Sequence, residues 1–323
     1  MTPTPIASHT AVHPEGALAP WGGPAELVPA ERPFGVGIIG VGNMGAAMAE
    51  RLATLGWMPR VYDIIPAKSR CLEQFGAVAP DSAAQAAINT VAVIVCVVDA
   101  AQTRDVLFGV RGIAAHLKPG QMVVLCPTIS PHDVEDIAQR LLSLGVDVLD
   151  APMSGGPARA RDGSMSLMVA GTDAAVDRCS ALLNALSSKV FRISQRVGDG
   201  ARTKLVNNLL AGINLVGAAE VMALATRLGL DQARTLDVIA QSSGQSWIGM
   251  DRMRRAVAGD FVPRAHMTLL AKDTGLAQDC ARSVGFDSPL GALAHRVFAA
   301  AIEAGLAELD DAALLQFLEH PPS

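Results

Sequence analysis

The stretch VGIIGVGNMG, residues Val36–Gly45, contains the pattern that decides the fold. A short β-branched run leads directly into three glycines spaced G-x-G-x-x-G, and the residues that follow have the apolar periodicity of a helix. In this context Gly40 permits a tight turn, Gly42 lets phosphates approach the backbone, and Gly45 lets the helix pack closely on the strand. The free N–H groups at the start of that helix favour an anion. The stretch therefore predicts a strand–turn–helix unit that binds the pyrophosphate of a dinucleotide.

An acidic residue at the end of the next strand supports the same ligand. Asp63 ends the run RVYD and lies 21 positions after Gly42, where a ribose-binding carboxylate is expected about 20 residues on. A carboxylate at this place accepts hydrogen bonds from ribose hydroxyls and repels a 2′-phosphate, and no arginine follows it directly. The sequence therefore predicts NAD rather than NADP. The structural alternative is that Asp63 only caps the following helix.

From Val36 onward, short β-rich runs alternate with helical stretches. Five runs are predicted to be buried strands, and two further short strands are expected around SMSLMVAG and VFRI; the five are VGIIG, RVYDI, VAVIVCVV, MVVLC and VDVLD. Such alternation is typical of a parallel sheet covered on both faces by helices. After about Val197 the strand signal ends, and helices are expected near 201–228, 231–241, 246–258, 267–283, 289–303 and 311–319. The predicted architecture is an α/β Rossmann-type dinucleotide-binding domain, 34–196, joined by a long helix to an all-α C-terminal domain, 197–320.

Composition excludes several other classes of protein. The chain has 323 residues, 50% of them hydrophobic and 18% charged, which suffices for two domains with sizeable cores. A net charge of −5 argues against a nucleic-acid partner. The most apolar stretches are interrupted by Gly, Pro or charged residues, so no membrane-spanning segment and no membrane association is predicted.

The N-terminal segment and the cysteines also differ from those of a secreted protein. Residues 1–33 contain seven prolines and no apolar periodicity, which predicts a flexible tail with the features of neither a secretory signal nor a transit peptide. The five cysteines include no C-x-x-C pair and are predicted to be buried, reduced thiols of a cytoplasmic protein. The histidines are scattered, so no metal site is predicted.

Three further segments bring polar side chains into apolar surroundings. DAPMSGG places a serine and two glycines at the end of a strand, where a hydroxyl and free N–H groups suit a carboxylate. GDGARTKLVNN opens the long apolar helix and puts Lys204, Asn207 and Asn208 on one face of it. AKDTGLA puts Lys272 in another apolar helix. Each segment alone also has an ordinary structural interpretation: a turn, a lysine whose stem lies along apolar surface, or charges on a helix surface.

Together and in this order, these segments resemble the β-hydroxyacid dehydrogenase family, which includes 3-hydroxyisobutyrate dehydrogenase and tartronate semialdehyde reductase. GVGNMGAAMAERL resembles the family's cofactor loop and DAPMSGG its substrate-carboxylate motif, while GDGARTKLVNN resembles its catalytic motif and AKDTGLA its cofactor lysine motif. The resemblance covers nearly all of residues 35–320. Met153 and Ala170 stand where the family usually has Val and Gly, and neither difference removes a chemical group.

The resemblance implies a role for each matched residue. Lys204 would be the catalytic acid/base, Thr128 would lie beside the nicotinamide, and Lys272 would lie at the cofactor end of the cleft. The expected substrate-binding residues are Ser154, Gly155, Gly156 and Asn208. The expected cofactor-binding residues are Gly40, Gly42, Asn43, Met44, Gly45, Asp63, Thr128 and Lys272.

The chemistry requires an unusual lysine. A free lysine is almost fully protonated at neutral pH, so Lys204 can accept a proton only if its pKa falls, and burial lowers the pKa of a lysine. The positive ring of oxidised nicotinamide would act in the same direction. We therefore expect Lys204 and Asn208 to face a cleft between the domains. Asn207 either orients a neighbour or packs the helix. Trp247 lies in a segment for which two interpretations stay open, a lining of the substrate pocket and the favoured one, a packed core tryptophan.

Several stretches resemble one branch of the family more closely. VVDAAQTRDVLFG, AAHLKPG, SSGQSWIGMDRM and VAGDFVP resemble the L-threonate dehydrogenases, which favours a four-carbon sugar acid as substrate; 3-hydroxyisobutyrate and tartronate semialdehyde are the alternatives. An imine reductase is less favoured because such enzymes typically lack the lysine at position 204. A non-enzymatic dinucleotide-binding module would not need Ser154, Lys204 and Asn208 together. 6-Phosphogluconate dehydrogenase would need a more basic phosphate pocket. The resemblance also implies a homodimer or homotetramer.

Overall fold

The N-terminal domain is built on a single mixed sheet. The structure, a computed structural model, describes residues 35–320, and the tail predicted for residues 1–33 lies outside this range. Within it, eight strands form the sheet: β1 Val36–Ile39, β2 Arg60–Tyr62, β3 Ala92–Val95, β4 Met122–Leu125, β5 Asp147–Asp150, β6 Met153–Ser154, β7 Ser166–Ala170 and β8 Lys189–Ser194. The helices are α1 Asn43–Thr54, α2 Pro66–Arg70, α3 Ala83–Ala87, α4 Ala100–Phe108, α5 Pro131–Ser143, α6 Gly156–Asp162, α7 Asp173–Leu186, α8 Asp199–Arg227, α9 Gln232–Ala240, α10 Trp247–Val257, α11 Met267–Ser283, α12 Pro289–Ala301 and α13 Leu314–Glu319.

The order of the strands places a binding crevice beside β1. The first five strands are parallel in the order β2-β1-β3-β4-β5. Because the chain leaves β1 toward β2 on one side and returns to β3 on the other, the carboxyl ends of β1 and β3 border a topological switch point, where ligands of open α/β sheets bind. All four residues in each of β1, β3 and β4 are buried, as expected for strands covered on both faces.

The second part of the sheet departs from the predicted parallel arrangement. The two additional strands predicted from the sequence are present as β7 and β8, which are parallel to each other, but β7 is antiparallel to β5. The chain leaves β5, forms the short β6 and α6, and re-enters the sheet at the same end, which requires no crossover over a face of the sheet. The predicted fold class, a Rossmann-type domain followed by a helical domain, is confirmed.

The helix α8 connects the two domains. Its first turns pack against β5, β7 and β8, and the rest of it packs against α10, α11, α12 and α13. With 29 residues it is about 44 Å long. It is long and apolar enough to cross a membrane by length and composition, which the sequence pattern did not predict. Its apolar composition has a structural explanation, since Leu215, Ala219 and Met222 belong to the core of the helical domain.

Three other expectations from the sequence are corrected. The helix predicted to end at residue 303 ends at Ala301 and continues as a π-helical turn, in which Gly305 has a φ of +92° that stops the helix. The last predicted helix is divided into a 3₁₀ turn, Asp311–Ala313, and α13. Cys126 and Cys179 are buried as predicted, but Cys71 is exposed.

Candidate active site

The glycine loop has the shape that a dinucleotide requires. A Cβ atom on Gly40 would lie 2.5 Å from the Cys96 carbonyl oxygen, and one on Gly45 would lie 2.0 Å from the Gly40 carbonyl oxygen, so both positions need glycine for packing. A Cβ on Gly42, in contrast, would meet no atom within 4 Å. Gly42 is also the N-cap of α1, and no side chain caps the free N–H groups there. The loop therefore presents open space and unsatisfied donors, which fits a bound pyrophosphate.

The two residues that follow Gly42 have different environments. Met44 is partly buried and packs against the core of the N-terminal domain. Asn43 is exposed, and its Nδ2 donates a 3.5 Å hydrogen bond to the carbonyl oxygen of Arg264, which belongs to the helical domain. The helical domain thus reaches the rim of the phosphate loop.

Asp63 holds the turn after β2 against the glycine loop. Its Oδ2 accepts a 3.0 Å hydrogen bond from the N–H of Val41, and its Oδ1 accepts one of the same length from the N–H of Ile65. Asp63 does not cap α2, because that helix has no side-chain cap. Each carboxylate oxygen retains a lone pair that can accept a hydrogen bond from a ribose hydroxyl. Asp63 lies at the place from which a ribose can be bound.

Lys272 connects the two domains at the loop after β4. Its Nζ donates a 2.5 Å hydrogen bond to the carbonyl oxygen of Thr128, in the loop after β4, and lies 2.8 Å from Asp273 Oδ1. The structure thus brings Thr128 and Lys272 together, although they are 144 residues apart in the chain.

The centre of the candidate site is a buried polar group between α8 and α11. Lys204, Asn208 and Asp273 have relative exposures of 7%, 8% and 6%. Asn208 Nδ2 donates a 2.6 Å hydrogen bond to Asp273 Oδ2, and the exposed Asn207 donates its Nδ2 to Asn208 Oδ1 at 2.9 Å. Asn207 therefore orients Asn208. Lys204 and Asn208 face neither bulk water nor a purely apolar core.

Burial has the expected effect on the lysine. The pKa of Lys204 is lowered from 10.5 to about 8, mainly because burial disfavours its charged form. The carboxylate of Asp273 acts in the opposite direction and raises this pKa, whereas the positive charge of Lys272 lowers it. A lysine with a pKa near 8 can both accept and donate a proton near neutral pH.

A second buried carboxylate, which sequence reasoning did not select, fixes the start of the helix that bears Lys204. Asp150 is 1% exposed, and its Oδ2 accepts hydrogen bonds from the N–H groups of Gly198 at 3.0 Å and Ala201 at 2.8 Å. Burial raises the pKa of Asp150 to about 6, and the hydrogen bonds from the backbone oppose this rise because they stabilise the carboxylate. A Cβ on Gly200 would lie 2.8 Å from both the Asp150 and the Met168 carbonyl oxygens, so only glycine permits this close approach.

Asp150 and Asp273 both lie in motifs that the sequence analysis singled out, but nothing in the local sequence indicates that their carboxylates are buried. Asp150 was the first letter of DAPMSGG, and Asp273 follows Lys272 in AKD. A polar residue next to a lysine on a helix is usually a surface residue, so only the packing of α11 on α8 identifies Asp273 as part of the site.

The Ser-Gly-Gly segment lies between β6 and α6 of the N-terminal domain. Ser154 is the last residue of β6, and Gly155 and Gly156 follow with φ angles of +129° and +75°. The Ser154 hydroxyl has no hydrogen-bond partner among residues 35–320, so it is available to a ligand. No hydrogen bond joins the side chains of Ser154 and Lys204 within that range.

Trp247 corrects another expectation. It is 46% exposed at the start of α10 and is not a packed core residue. The guanidinium carbon of Arg159, three residues after Gly156, lies 4.6 Å from the centre of its ring. This pair therefore joins the helix after the Ser-Gly-Gly segment to the helical domain. In the part of the chain between residues 35 and 320, no group of His, Cys, Asp or Glu side chains could hold a metal ion.

Comparison with known proteins gives consistent matches over the described residues. Residues 35–194 match a family model of the NAD binding domain of 6-phosphogluconate dehydrogenase, and residues 198–318 match one described as NAD-binding of NADP-dependent 3-hydroxyisobutyrate dehydrogenase. The L-threonate dehydrogenase of Escherichia coli K12 is 38% identical over 284 residues, 88% of this chain and 94% of that protein.

Two solved structures resemble the chain over their whole length. The crystal structure of a 3-hydroxyisobutyrate dehydrogenase from Salmonella typhimurium has a TM-score of 0.83 and 38% identity, and the match covers 88% of this chain and 99% of that one. A structure of Psf3 in complex with NADP+ and 2-OPP has a TM-score of 0.82 and 28% identity, with coverage of 88% and 99%.

Proposed function

The chain belongs to the β-hydroxyacid dehydrogenase family of the 3-hydroxyisobutyrate dehydrogenase type and is an oxidoreductase that acts on CH–OH groups with a nicotinamide dinucleotide; from this premise we propose that it oxidises a small hydroxy acid with NAD. A four-carbon sugar acid such as L-threonate is the favoured substrate, and 3-hydroxyisobutyrate or tartronate semialdehyde is the alternative. The 38% identity to an L-threonate dehydrogenase supports this choice.

The observation that carries the proposal is the buried lysine with a lowered pKa beside Asn208 and Asp273. In oxidation, Lys204 Nζ accepts the proton of the substrate hydroxyl, and in reduction it returns that proton. Nicotinamide, when bound, supplies the acceptor or donor of the hydride. Asn208 donates to Asp273 and is oriented by Asn207, which supports its assignment as the residue that binds a substrate oxygen.

The opposite side of the cleft holds the substrate in position. The free hydroxyl of Ser154 and the N–H groups of Gly155 and Gly156 bind the carboxylate. This fixes the hydroxyl-bearing carbon between the Ser-Gly-Gly segment and Lys204. Holding both reacting groups in place removes much of the entropic barrier to the reaction.

NAD is proposed over NADP on the basis of Asp63. Its carboxylate accepts hydrogen bonds from a ribose and repels a 2′-phosphate, and the residues that follow, Ile64 and Ile65, are exposed and apolar. The relative Psf3 is bound to NADP+ in its solved structure, so the two cofactors have to be compared directly.

A substrate panel with the purified protein tests the proposal. Reduced nicotinamide is followed by absorbance with NAD or NADP and L-threonate, D-erythronate, 3-hydroxyisobutyrate or D-glycerate. We expect NAD-linked oxidation of one four-carbon acid, and a loss of about 10²- to 10⁴-fold in Lys204→Ala with NADH binding retained. Activity on 3-hydroxyisobutyrate or glycerate alone would refute the sugar-acid substrate, and an active Lys204→Ala enzyme would refute the role of the lysine.

Two other functions are separated by the same assay. An imine reductase or a non-enzymatic dinucleotide-binding module would bind NADH but oxidise none of these acids. The imine reductases typically lack a lysine at position 204, and a binding module has no use for the buried Lys204, Asn208 and Asp273 together. These residues favour the dehydrogenase.

We also propose that the protein forms a homodimer or homotetramer and acts in the cytoplasm. The outer face of α8 supports the assembly, because Val206, Leu210 and Leu224 are exposed on it although the helix is otherwise part of a core. Light scattering of the full chain should give a dimer or tetramer that Leu210→Glu dissociates, while Val110→Glu, at an exposed position of the N-terminal domain, should not. A monomeric wild-type protein would contradict the assembly.

A further inference from the structure

Arg159 lies between the Ser-Gly-Gly segment and the helical domain. A Cβ atom on Gly155 would lie 2.9 Å from Arg159 Cδ and 3.2 Å from its Cβ, so the stem of the arginine covers Gly155. The guanidinium then continues to Trp247 at the start of α10 and lies 4.6 Å from the centre of the ring. The side chain thus begins beside the proposed carboxylate site and ends on the opposite domain.

Arg159 forms no close ion pair within the described range, although its positive charge adds to the lowering of the pKa of Asp162 that hydrogen bonds from Ser164 mainly cause. No carboxylate between residues 35 and 320 lies within 4.0 Å of its guanidinium, and its side chain makes no hydrogen bond there. The next arginine of α6 is different, since Arg161 Nε lies 2.5 Å from Glu50 Oε2. A guanidinium carries five N–H donors in a planar arrangement that suits oxygen acceptors, and those of Arg159 are unused.

A purely structural role explains this arrangement less well. The other arginine–aromatic pair of the described chain, Arg140 over Phe108 at 3.6 Å, lies on the outside of α5 and joins neighbouring elements of one domain. Arg159 instead reaches across the cleft to a tryptophan that remains 46% exposed. A stacked guanidinium keeps its in-plane donors free while the ring fixes its orientation.

We propose that Arg159 is a substrate-binding residue that determines specificity by donating hydrogen bonds to an oxygen-bearing group at the end of the substrate remote from the bound carboxylate. Ser154, Gly155 and Gly156 already supply donors for that carboxylate, and the guanidinium lies over Trp247 of the helical domain. The group is a hydroxyl of a sugar acid or a second carboxylate, which share the same acceptor chemistry. The proposal rests on the proposed dehydrogenase function and explains how the site selects a polar over an apolar acid.

The test compares matched variants on acids that differ in the oxygen-bearing groups they carry besides the bound carboxylate and the reacting hydroxyl. Arg159→Met keeps the stem on Gly155 and removes the donors, Arg159→Lys keeps the charge and loses the planar fork, and Arg161→Met is the control on the same helix. The substrates are L-threonate with further hydroxyls, tartrate with a second carboxylate, and 3-hydroxyisobutyrate, which has a methyl branch and no oxygen besides its carboxylate and its reacting hydroxyl. kcat and KM are measured for each at saturating NAD.

We expect Arg159→Met to lower kcat/KM for the polar acid that the wild type prefers by about 10- to 100-fold, mainly through KM. The change for 3-hydroxyisobutyrate should be less than about threefold, Arg159→Lys should be intermediate, and Arg161→Met should match the wild type. A larger loss with tartrate than with L-threonate would identify the remote group as a carboxylate, and the reverse would identify it as a hydroxyl.

Two results would overturn the inference while leaving the dehydrogenase intact. An equal loss on all three acids would mean that Arg159 binds the shared carboxylate or only supports the fold. Unchanged kinetics in both Arg159 variants would mean that it contacts no substrate. If the wild type oxidises none of the acids, the proposed function itself fails, and that outcome is distinguishable because it appears before any variant is compared.

Discussion

The pH dependence of turnover is the most direct consequence of the buried lysine. Burial lowers the pKa of Lys204 from 10.5 to about 8, which corresponds to roughly 3.4 kcal/mol in favour of the neutral amine. At pH 7 this raises the neutral fraction about 300-fold, from a few molecules in ten thousand to about one in ten. Oxidation needs the neutral amine, so its rate should rise with pH and then level off. The pH at which the rate is half-maximal, here called the limb, should lie near 8. The positive nicotinamide ring can move this limb only to lower pH.

Two variants of neighbouring residues should move the limb in opposite directions. Asp273 raises the pKa of Lys204, so Asp273→Asn removes an opposing charge and shifts the limb to lower pH. Lys272 lowers the same pKa, so Lys272→Met shifts the limb to higher pH. Both substitutions also disturb hydrogen bonds and will reduce the maximal rate, but a merely structural effect would not move the limb in these two directions.

The measurement is kcat/KM for the best acid from pH 5.5 to 10, at saturating NAD, in buffers of constant ionic strength. The reverse reaction provides an internal check, because reduction needs the protonated lysine and should decline through the same pH range. A limb near 10.5 in the wild type, or shifts of the same sign in both variants, would refute the account of Lys204.

Three further predictions follow from other residues. Asp63→Asn should reduce the preference for NAD over NADP by about 10-fold or more, measured as a ratio of kcat/KM values, because it removes the charge that repels a 2′-phosphate; an unchanged ratio would assign Asp63 to the turn alone. Gly200→Ala should lower the free energy of unfolding by about 1–3 kcal/mol, because its Cβ would meet backbone atoms at 2.8 Å. Gly217→Ala, on the same helix but in open space, should raise the free energy of unfolding by about 0.5–1 kcal/mol. Denaturant titration of both variants measures the two changes, and equal changes would contradict the packing argument. Burial raises the pKa of Asp150 in the folded protein to about 6 from its ordinary value of 3.8, so the folded protein takes up this proton more readily than the unfolded chain. The free energy of unfolding of the wild type, measured relative to that of Asp150→Asn, should therefore rise by up to about 3 kcal/mol as the pH falls from 7 to 4. A difference that does not change with pH would contradict the burial argument.

The sequence predicted those features that depend on neighbouring residues. The spacing of Gly40, Gly42 and Gly45 after an apolar strand was sufficient for the Rossmann-type unit, and the confirmed fold class follows from the alternation of strands and helices. The predicted helix 267–283 agrees with α11 in both bounds. The assignments of Lys204, Ser154 and the other site residues to catalysis and binding stay predictions, although the structure places several of them in contact.

The features that the sequence did not reveal depend on which elements pack together. The sequence pattern assigned Asp273 no role in the site, and it is buried because α11 covers α8. Trp247 was assigned to a core because large aromatic side chains usually bury their surface, yet it stands at the edge of the cleft. The antiparallel entry of β7 depends on how the chain turns after β5, and no local pattern specifies that turn. Each difference arises from a tertiary partner that is distant in the chain.

The same tertiary contacts make the chemistry of Lys204 depend on the arrangement of the two domains. Its helix is fixed to the sheet by Asp150, whose carboxylate binds the N–H of Ala201 less than one turn before the lysine. Its burial depends on α11, which belongs to the helical domain and is tied to the N-terminal domain through the bond from Lys272 to Thr128. Since burial is the main cause of the lowered pKa, separating α11 from α8 would return the pKa of Lys204 toward 10.5 and leave it protonated at neutral pH. Under the proposed mechanism, the lysine therefore acts as a base only while α11 covers α8, which would confine proton transfer to this arrangement of the two domains.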